Sequence, residues 1–337
     1  MNMTTLRELG EFGLIKRIAE YFPVQSENMS GIGDDCAILP FNDKENMLVT
    51  TDMLIENRHF LLDKITPYEL GYKSLSVNLS DIAAMGGTPV GAFLSIGIPS
   101  KIDLLFIDRF FEGLKFLSGK THTLLLGGDT TGSPDNLVIN IAVIGKAEKD
   151  YIKRRSSAKP GDIVCVTGNL GDSAAGLKVL LENVPYTKLT KYFIRQHHMP
   201  RPHLKEGQWL SKQDGIRAMI DISDGVESDI HRIMESSLVG AQLEMDKLPV
   251  SKELNLAQQQ FSWNIWEIAL NGGEDYCLMT TVDPLKYENI NETYLKIFHH
   301  PLYKIGTITG HTGKLELYLN GRKITTEKHG FDHFKNM

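Results

Sequence analysis

At 337 residues the chain is too long for one ordinary hydrophobic core, and its length favours two domains. Hydrophobic residues make up 42% and charged residues 23%, which excludes disordered and fibrous classes. A net charge of −6 argues against a general nucleic-acid binder, though an acidic chain can still hold an anion through divalent cations.

Residues 1–22 lack the apolar run and small-residue cleavage site of a signal peptide. They read as an amphipathic helix, with Leu9, Phe12, Ile15 and Ile18 at helical spacing. Strands are predicted over 47–51, 92–98, 123–126 and 137–143, and helices over 68–85 and 102–118. Thr66, Pro67 and Glu69 form a capping signature for the first of these helices, and Gly86-Gly87 ends it. A charged stretch over 146–155, followed by the turn Lys159-Pro160-Gly161-Asp162, marks a boundary. We expect an N-terminal α/β domain over 1–148 and a C-terminal α/β domain over 149–337. In the second half, strands are expected over 163–167, 217–222, 241–245, 277–282 and 304–309, and helices over 171–182 and 227–236. This alternation gives an α/β (α+β) fold class.

The three cysteines, Cys36, Cys165 and Cys277, are scattered and odd in number, so they read as reduced, buried hydrophobes. Trp209, Trp263 and Trp266 read as core or interface residues. No stretch approaches the roughly 18 to 20 apolar residues that span a bilayer. The expectation is a cytoplasmic protein with no membrane and no nucleic-acid partner.

The chemical signal is acidic residues paired with glycine or threonine near apolar runs. It appears at Gly31-Ile-Gly-Asp-Asp35, Thr50-Thr-Asp52, Gly127-Gly-Asp-Thr-Thr131, Asp221-Ile-Ser-Asp-Gly225 and Gly272-Gly-Glu-Asp275, with Asp81 inside a helix. Asp52, Asp129 and Asp221 follow expected strands directly. Magnesium needs hard oxygen ligands and is often shared between carboxylates and phosphates. Glycine beside such a ligand lets backbone amides approach phosphate oxygens. Each pairing alone is more often a surface turn than a ligand, since both residue types favour turns. Their recurrence is harder to dismiss and leaves a metal–phosphate site and a set of turns both open; at such a site phosphoryl transfer would need no enzyme nucleophile or general base.

Two nucleotide motifs are near misses. Gly113 to Thr121 has one residue too many for a Walker A loop and follows a helix, while Gly31-Ile-Gly33 has Cys36 where a dinucleotide fingerprint needs glycine. His197-His198 lacks partners at metal spacing and reads as a loop or helix end.

Taken in order, these motifs resemble the thiamine-monophosphate kinase family. The resemblance rests on Gly31-Ile-Gly-Asp-Asp-Cys-Ala37, Asn78-Leu-Ser-Asp-Ile-Ala-Ala-Met-Gly86, Gly127-Gly-Asp-Thr-Thr131, Gly171-Asp-Ser-Ala-Ala-Gly176, Asp221-Ile-Ser-Asp-Gly225 and Gly272-Gly-Glu-Asp-Tyr276. It runs from about Gly10 to the closing Gly330-Phe-Asp-His-Phe334. It implies an aminoimidazole ribonucleotide synthetase-like fold whose N-terminal domain contributes to a dimeric β-barrel. It implies transfer of the ATP γ-phosphate to thiamine monophosphate by a homodimer, the last step in making thiamine diphosphate.

The resemblance also assigns roles. Asp35, Thr50, Thr51, Asp52, Asp81, Asp129, Asp221 and Asp224 match the family's Mg2+ positions. Gly128, Asp129, Arg155 and Ser223 match ATP-binding positions, and His59 and Glu274 match substrate-binding positions. Lys328 stands where the family can carry a substrate-contacting aromatic residue. Rival expectations are another enzyme of the superfamily, or a non-catalytic nucleotide sensor that keeps the ATP ligands.

Overall fold

The structure, a computed structural model, describes residues 6–24, 26 and 28–325. Lys328 and the closing Gly330-Phe-Asp-His-Phe334 lie outside the described residues.

The first half comprises α1 (Leu6–Tyr21), β1 (Ala37–Pro40), β2 (Glu45–Ile55), α2 (Pro67–Ala84), β3 (Thr88–Pro99), α3 (Leu104–Thr121), β4 (Leu124–Ser133) and β5 (Val138–Glu148). Its strands form one sheet in the order β1-β2-β5-β3-β4. Only β3 and β4 run parallel, joined through α3; the other pairs are antiparallel. Along β5 every second residue is buried, with Ile139, Ile141 and Val143 turned towards the helices. The opposite face is open in the single chain and carries Met53 and Phe93, 52% and 40% exposed.

The second half comprises β6 (Ile163–Val166), α4 (Asp172–Leu181), α5 (Lys188–His198), α6 (Leu204–Ser211), β7 (Ile216–Asp221), α7 (Val226–Ser237), β8 (Gly240–Glu244), α8 (Lys252–Phe261), α9 (Ile265–Asn271), β9 (Leu278–Val282), α10 (Tyr287–Phe298), β10 (Tyr303–Thr309), β11 (Leu315–Leu319) and β12 (Arg322–Ile324). Seven strands form a mixed sheet in the order β12-β11-β8-β10-β6-β9-β7. Both faces of its centre are covered. Ile163 and Cys165 join the core shared with the first half, whereas Val164 and Val166 join the core under α7 and α9. Burial on both faces explains why these strands read as unbroken apolar runs.

Helix α2 joins the two halves. Its capping box forms as the sequence predicts, with Glu69 N–H donating to Thr66 Oγ1 and the Thr66 N–H donating to Glu69. The helix packs against β2, β3, β5 and α3 of the first sheet and against α6 and β7 of the second half. Fourteen of its residues are buried, so it is enclosed on nearly every side. Its crossing with α3 needs Gly71 and Gly113, where an added Cβ would lie 1.9 Å from the Phe110 carbonyl oxygen and 1.8 Å from that of Tyr68.

The expected elements form with shifted ends, but two site strands differ from expectation. Asp52 lies inside β2 and Asp129 inside β4, so neither follows a strand. β4 extends through Gly127-Gly-Asp-Thr-Thr131 because pairing with β3 outweighs the poor strand propensity of Gly and Asp. Gly128 is required there: its φ is 154°, and a Cβ would lie 1.7 Å from the Leu94 carbonyl oxygen. The Walker-like segment from Gly113 to Thr121 lies within α3. All three cysteines are buried and free, and Trp263 is buried while Trp209 and Trp266 are partly buried against the cores.

Candidate active site

Three carboxylates from distant parts of the chain converge where the two sheets meet. Asp35 precedes β1, Asp81 sits near the end of α2, and Asp221 ends β7; one oxygen of each lies within 4.8 Å of the others. Burial pushes the Asp81 carboxyl well above its ordinary range, and the charges of Asp52, Asp221 and Asp35 push it further. Burial and the charge of Asp35 do the same to Asp221. Such a cluster favours a bound cation. Arg155 supplies positive charge, with Nη2 2.6 Å and Nε 3.3 Å from the two oxygens of Asp35. Its backbone N–H donates to Asp34 Oδ1 at 2.9 Å. Asp34, inside the quoted Gly-Ile-Gly-Asp-Asp motif, is a positioning residue that sequence reasoning passed over.

Thr50 and Asp52 reach the same cluster from β2. The Thr50 hydroxyl donates to Asp81. The Asp52 N–H donates to Asn78 Oδ1 at 3.0 Å, which ties the strand to α2. Burial, and then the charge of Asp224, push Asp52 up to about 6. The Thr51 side chain points to the open face of the sheet, where Asn140 Nδ2 donates to its hydroxyl at 2.9 Å.

The turn carrying Ser223 and Asp224 is built by a residue absent from the sequence-based set. Asp229 Oδ2 accepts the N–H groups of Ser223, Asp224 and Gly225 at 3.1, 3.2 and 3.2 Å, which fixes the loop entering α7. Burial and the charge of Asp224 raise its carboxyl to about 7. Arg232 pairs with Asp224 and reaches Asp229 at 3.4 Å, and its guanidinium covers the Phe12 ring of α1 at 4.1 Å. The signal in the sequence was an acidic residue one turn into a helix that begins with Asp-Gly.

Gly128 and Asp129 are not brought to this cluster. Asp52 pairs with Ile141, Ile141 with Leu94, and Leu94 with Gly128, so three strand spacings separate β2 from β4. That is about 14 Å along the sheet. Asp129 is also one residue out of phase, so it shares the open face with Ser95 and Asn140 rather than the face of Asp52.

Of the two expected substrate residues, Glu274 adjoins the Ser223–Asp224 loop and His59 lies past the end of β2. His59 Nδ1 accepts the N–H of Ile55 at 2.9 Å just beyond β2. Glu274 is held at φ 63°, and its N–H donates to the Ser223 carbonyl oxygen at 2.7 Å. Its carboxylate pairs with Lys73 of α2 at 2.9 Å and lies 3.2 Å from His197 Nδ1. Lys73 is fully buried. Burial, and then the charge of Lys73, push His197 well below its ordinary range. His197 and His198 form the last turn of α5. Lys73 was detectable as a lone lysine in an otherwise enclosed helix.

Comparison with known proteins bears directly on this arrangement. Residues 33–147 match the family AIR synthase related protein, N-terminal domain, and residues 159–317 match its C-terminal domain. The thiamine-monophosphate kinase of Bacillus subtilis (strain 168) is 38% identical over 97% of this chain and 100% of its own length. That of Escherichia coli (strain K12) is 38% identical over 96% and 98%. The chain belongs to the thiamine-monophosphate kinase family. It is therefore a kinase with two AIR synthase-related domains of mixed α/β content. The solved structure of AaThiL complexed with AMPPCP and TMP superposes with a TM-score of 0.86 at 32% identity, covering 99% of this chain and 100% of that one. Kinase-family membership gives the acidic cluster its setting: it joins residues of both domains in one place.

Proposed function

We propose that the chain transfers the γ-phosphate of ATP to thiamine monophosphate, giving ADP and thiamine diphosphate, with Mg2+ as the metal. The observation that carries this reading is the convergence of Asp35, Asp81 and Asp221, three oxygen donors from both domains. Support comes from the family relatives and from a related structure complexed with AMPPCP and TMP.

The donor set fits magnesium, which takes hard oxygen ligands. Asp35, Asp81 and Asp221, with Thr50, Asp52 and Asp224 beside them, would hold several ions. Bound magnesium supplies positive charge that offsets the repulsion between two phosphates. Arg155 offers a planar fork for nucleotide phosphate oxygens, and Ser223 lies on a loop pinned by Asp229. A phosphate oxygen of the substrate attacks the γ-phosphorus in line, and the bond from that phosphorus to the β–γ bridging oxygen breaks. The attacking oxygen is already ionised, so no side chain serves as base. His59 and Glu274 contact the substrate.

The working unit in this reading is a homodimer. β4 is a sheet edge whose Leu124, Leu125 and Leu126 are 63%, 43% and 52% exposed, a surface that calls for a partner strand. Gly128 and Asp129 lie on that edge, and the Asp129 side chain faces away from its own chain's cluster. They, with Thr51, would then serve a site completed by the second copy, within a barrel closed by two sheets. The chain divides near residue 148, and its buried free cysteines suit the reducing cytoplasm.

The test is an ADP-release assay with thiamine monophosphate, thiamine or no acceptor, with and without magnesium. Release confined to thiamine monophosphate plus magnesium supports the reading. ATP binding without turnover under every condition would favour a nucleotide sensor.

A further inference from the structure

Asp224 faces two ways. After burial, its charge is what raises the Asp52 carboxyl, so the two carboxylates lie close together. Yet Asp224 is also answered by a cation of its own chain. Arg232, eight residues further on in α7, donates from Nη2 to Asp224 Oδ2. The two side chains are only 21% and 20% exposed, so water screens the pair far less than it screens a surface ion pair.

The setting of the guanidinium shows where its strength lies. Arg232 Nε faces Asp229 Oδ1 at 3.4 Å, but these two buried atoms form no hydrogen bond. Asp229 spends its other oxygen on the loop N–H groups of Ser223, Asp224 and Gly225. Asp229 therefore draws Arg232 by charge, whereas Asp224 takes its hydrogen bond. From α1, the Phe12 ring meets the guanidinium at 4.1 Å and is itself 36% exposed, so the ring covers the pair from outside.

A metal ion on Asp224 would thus share a carboxylate with a resident cation. Two positive charges at one shielded carboxylate repel each other strongly. The arginine stem is long and flexible, whereas magnesium demands a fixed geometry from its ligands, so the guanidinium is the group that yields.

We propose that Arg232 is a positioning residue that competes with bound metal for Asp224, so that metal binding there displaces the guanidinium and loosens its seat on Phe12 of α1. The inference rests on the reading of Asp224 as a metal ligand. By linkage, whatever strengthens the hold of Arg232 on Asp224 weakens the metal by the same factor. A purely structural arginine predicts the opposite sign, because its loss would let the loop drift and weaken the metal.

The experiment titrates Mn2+, as a spectroscopic substitute for Mg2+, into the full-length protein without nucleotide and counts free ion by electron paramagnetic resonance. Arg232→Met should bind the ion at least about tenfold more tightly than wild type, and Arg232→Lys should stay within about threefold of wild type. Phe12→Ala keeps the arginine but removes its cover, and should tighten binding about two- to fivefold. In an Asp224→Asn background neither Arg232→Met nor Phe12→Ala should change the affinity, because the contested carboxylate is gone. Unchanged or weaker binding in folded Arg232→Met overturns the inference; if that variant does not fold, unchanged binding in Phe12→Ala does so. Wild type that binds no Mn2+ overturns both the inference and the metal reading beneath it. If binding is unchanged in Arg232→Met while transfer to thiamine monophosphate still needs magnesium, the inference fails and the proposed function stands. If binding tightens as expected but no acceptor is phosphorylated, the inference stands and the proposed reaction fails.

Discussion

The guanidinium of Arg155 clasps the carboxylate of Asp35 through two contacts, at 2.6 and 3.3 Å, across 120 residues of sequence. Arg155 follows the first sheet and Asp35 precedes it, so one charged pair ties the segment between the domains to the aspartate cluster. Replacing Arg155 with Met leaves Asp35 among like charges with its main cation gone. We expect a stability loss of about 3 kcal/mol and a rise in the KM for ATP of about tenfold or more. Arg155→Lys should recover most of the stability but less of the KM, because an ammonium cannot reproduce the fork. Melting curves and initial rates on the two variants check this.

If Asp129 serves the partner copy, mixed dimers will reveal it. Asp52→Asn and Asp129→Asn should each abolish most activity alone. Unfolded and refolded together in equal amounts, they should recover about a quarter of wild-type activity, because each mixed dimer rebuilds one intact site. Recovery absent from verified mixed dimers would return Asp129 to its own chain's site.

The start of α2 makes a pH prediction. Burial raises the Glu69 carboxyl, but hydrogen bonds from His198 and from the Thr66 side chain and backbone outweigh it and hold the group down to about 2, against an ordinary 4.5. A depressed carboxylate stabilises the fold above its unfolded value and loses that contribution as pH falls through the folded value. Glu69→Gln should therefore melt about 3 °C below wild type at pH 7, with the gap narrowing below pH 4.5 and closing towards pH 2. Equal gaps at pH 3 and pH 7 would contradict this.

Two glycines on α3 should respond in opposite directions. An Ala at Gly113 meets the Tyr68 carbonyl oxygen at 1.8 Å and must force α2 and α3 apart, costing about 3 kcal/mol. Gly119 has open space around its missing Cβ, so Gly119→Ala should gain about 0.5–1 kcal/mol from helix propensity. Urea denaturation of both variants tests the contrast.

Much of this was legible in the sequence where local rules decide. The Thr66–Glu69 capping box announces α2, and apolar runs announce β6 and β9 because both their faces are buried. The acidic motifs named the residues that meet, but spacing alone could not show that Asp35, Asp81 and Asp221 converge, since tertiary packing places them. β4 was cut short at Leu126 because Gly127, Gly128 and Asp129 are poor strand formers held by pairing alone. Helix α5 is short but amphipathic, with Leu189, Tyr192 and Phe193 at helical spacing, so its existence was readable; that His197 at its end would meet Glu274 was not, because tertiary packing sets that contact. Asp229 and Lys73 act by holding other groups, and such positioning roles leave little mark in a motif.

The central claim is that the Asp35–Asp81–Asp221 cluster supports magnesium-dependent phosphoryl transfer. The most direct measurement is rapid-quench analysis with ATP labelled at the γ-phosphate, thiamine monophosphate and graded magnesium, on wild type and Asp221→Asn. The account predicts that label appears in the terminal phosphate of thiamine diphosphate with wild type, only when magnesium is present. It predicts a loss of at least about a hundredfold in Asp221→Asn with its fold intact. Label transfer at the wild-type rate in Asp221→Asn, or transfer that proceeds unchanged in excess chelator, would contradict it.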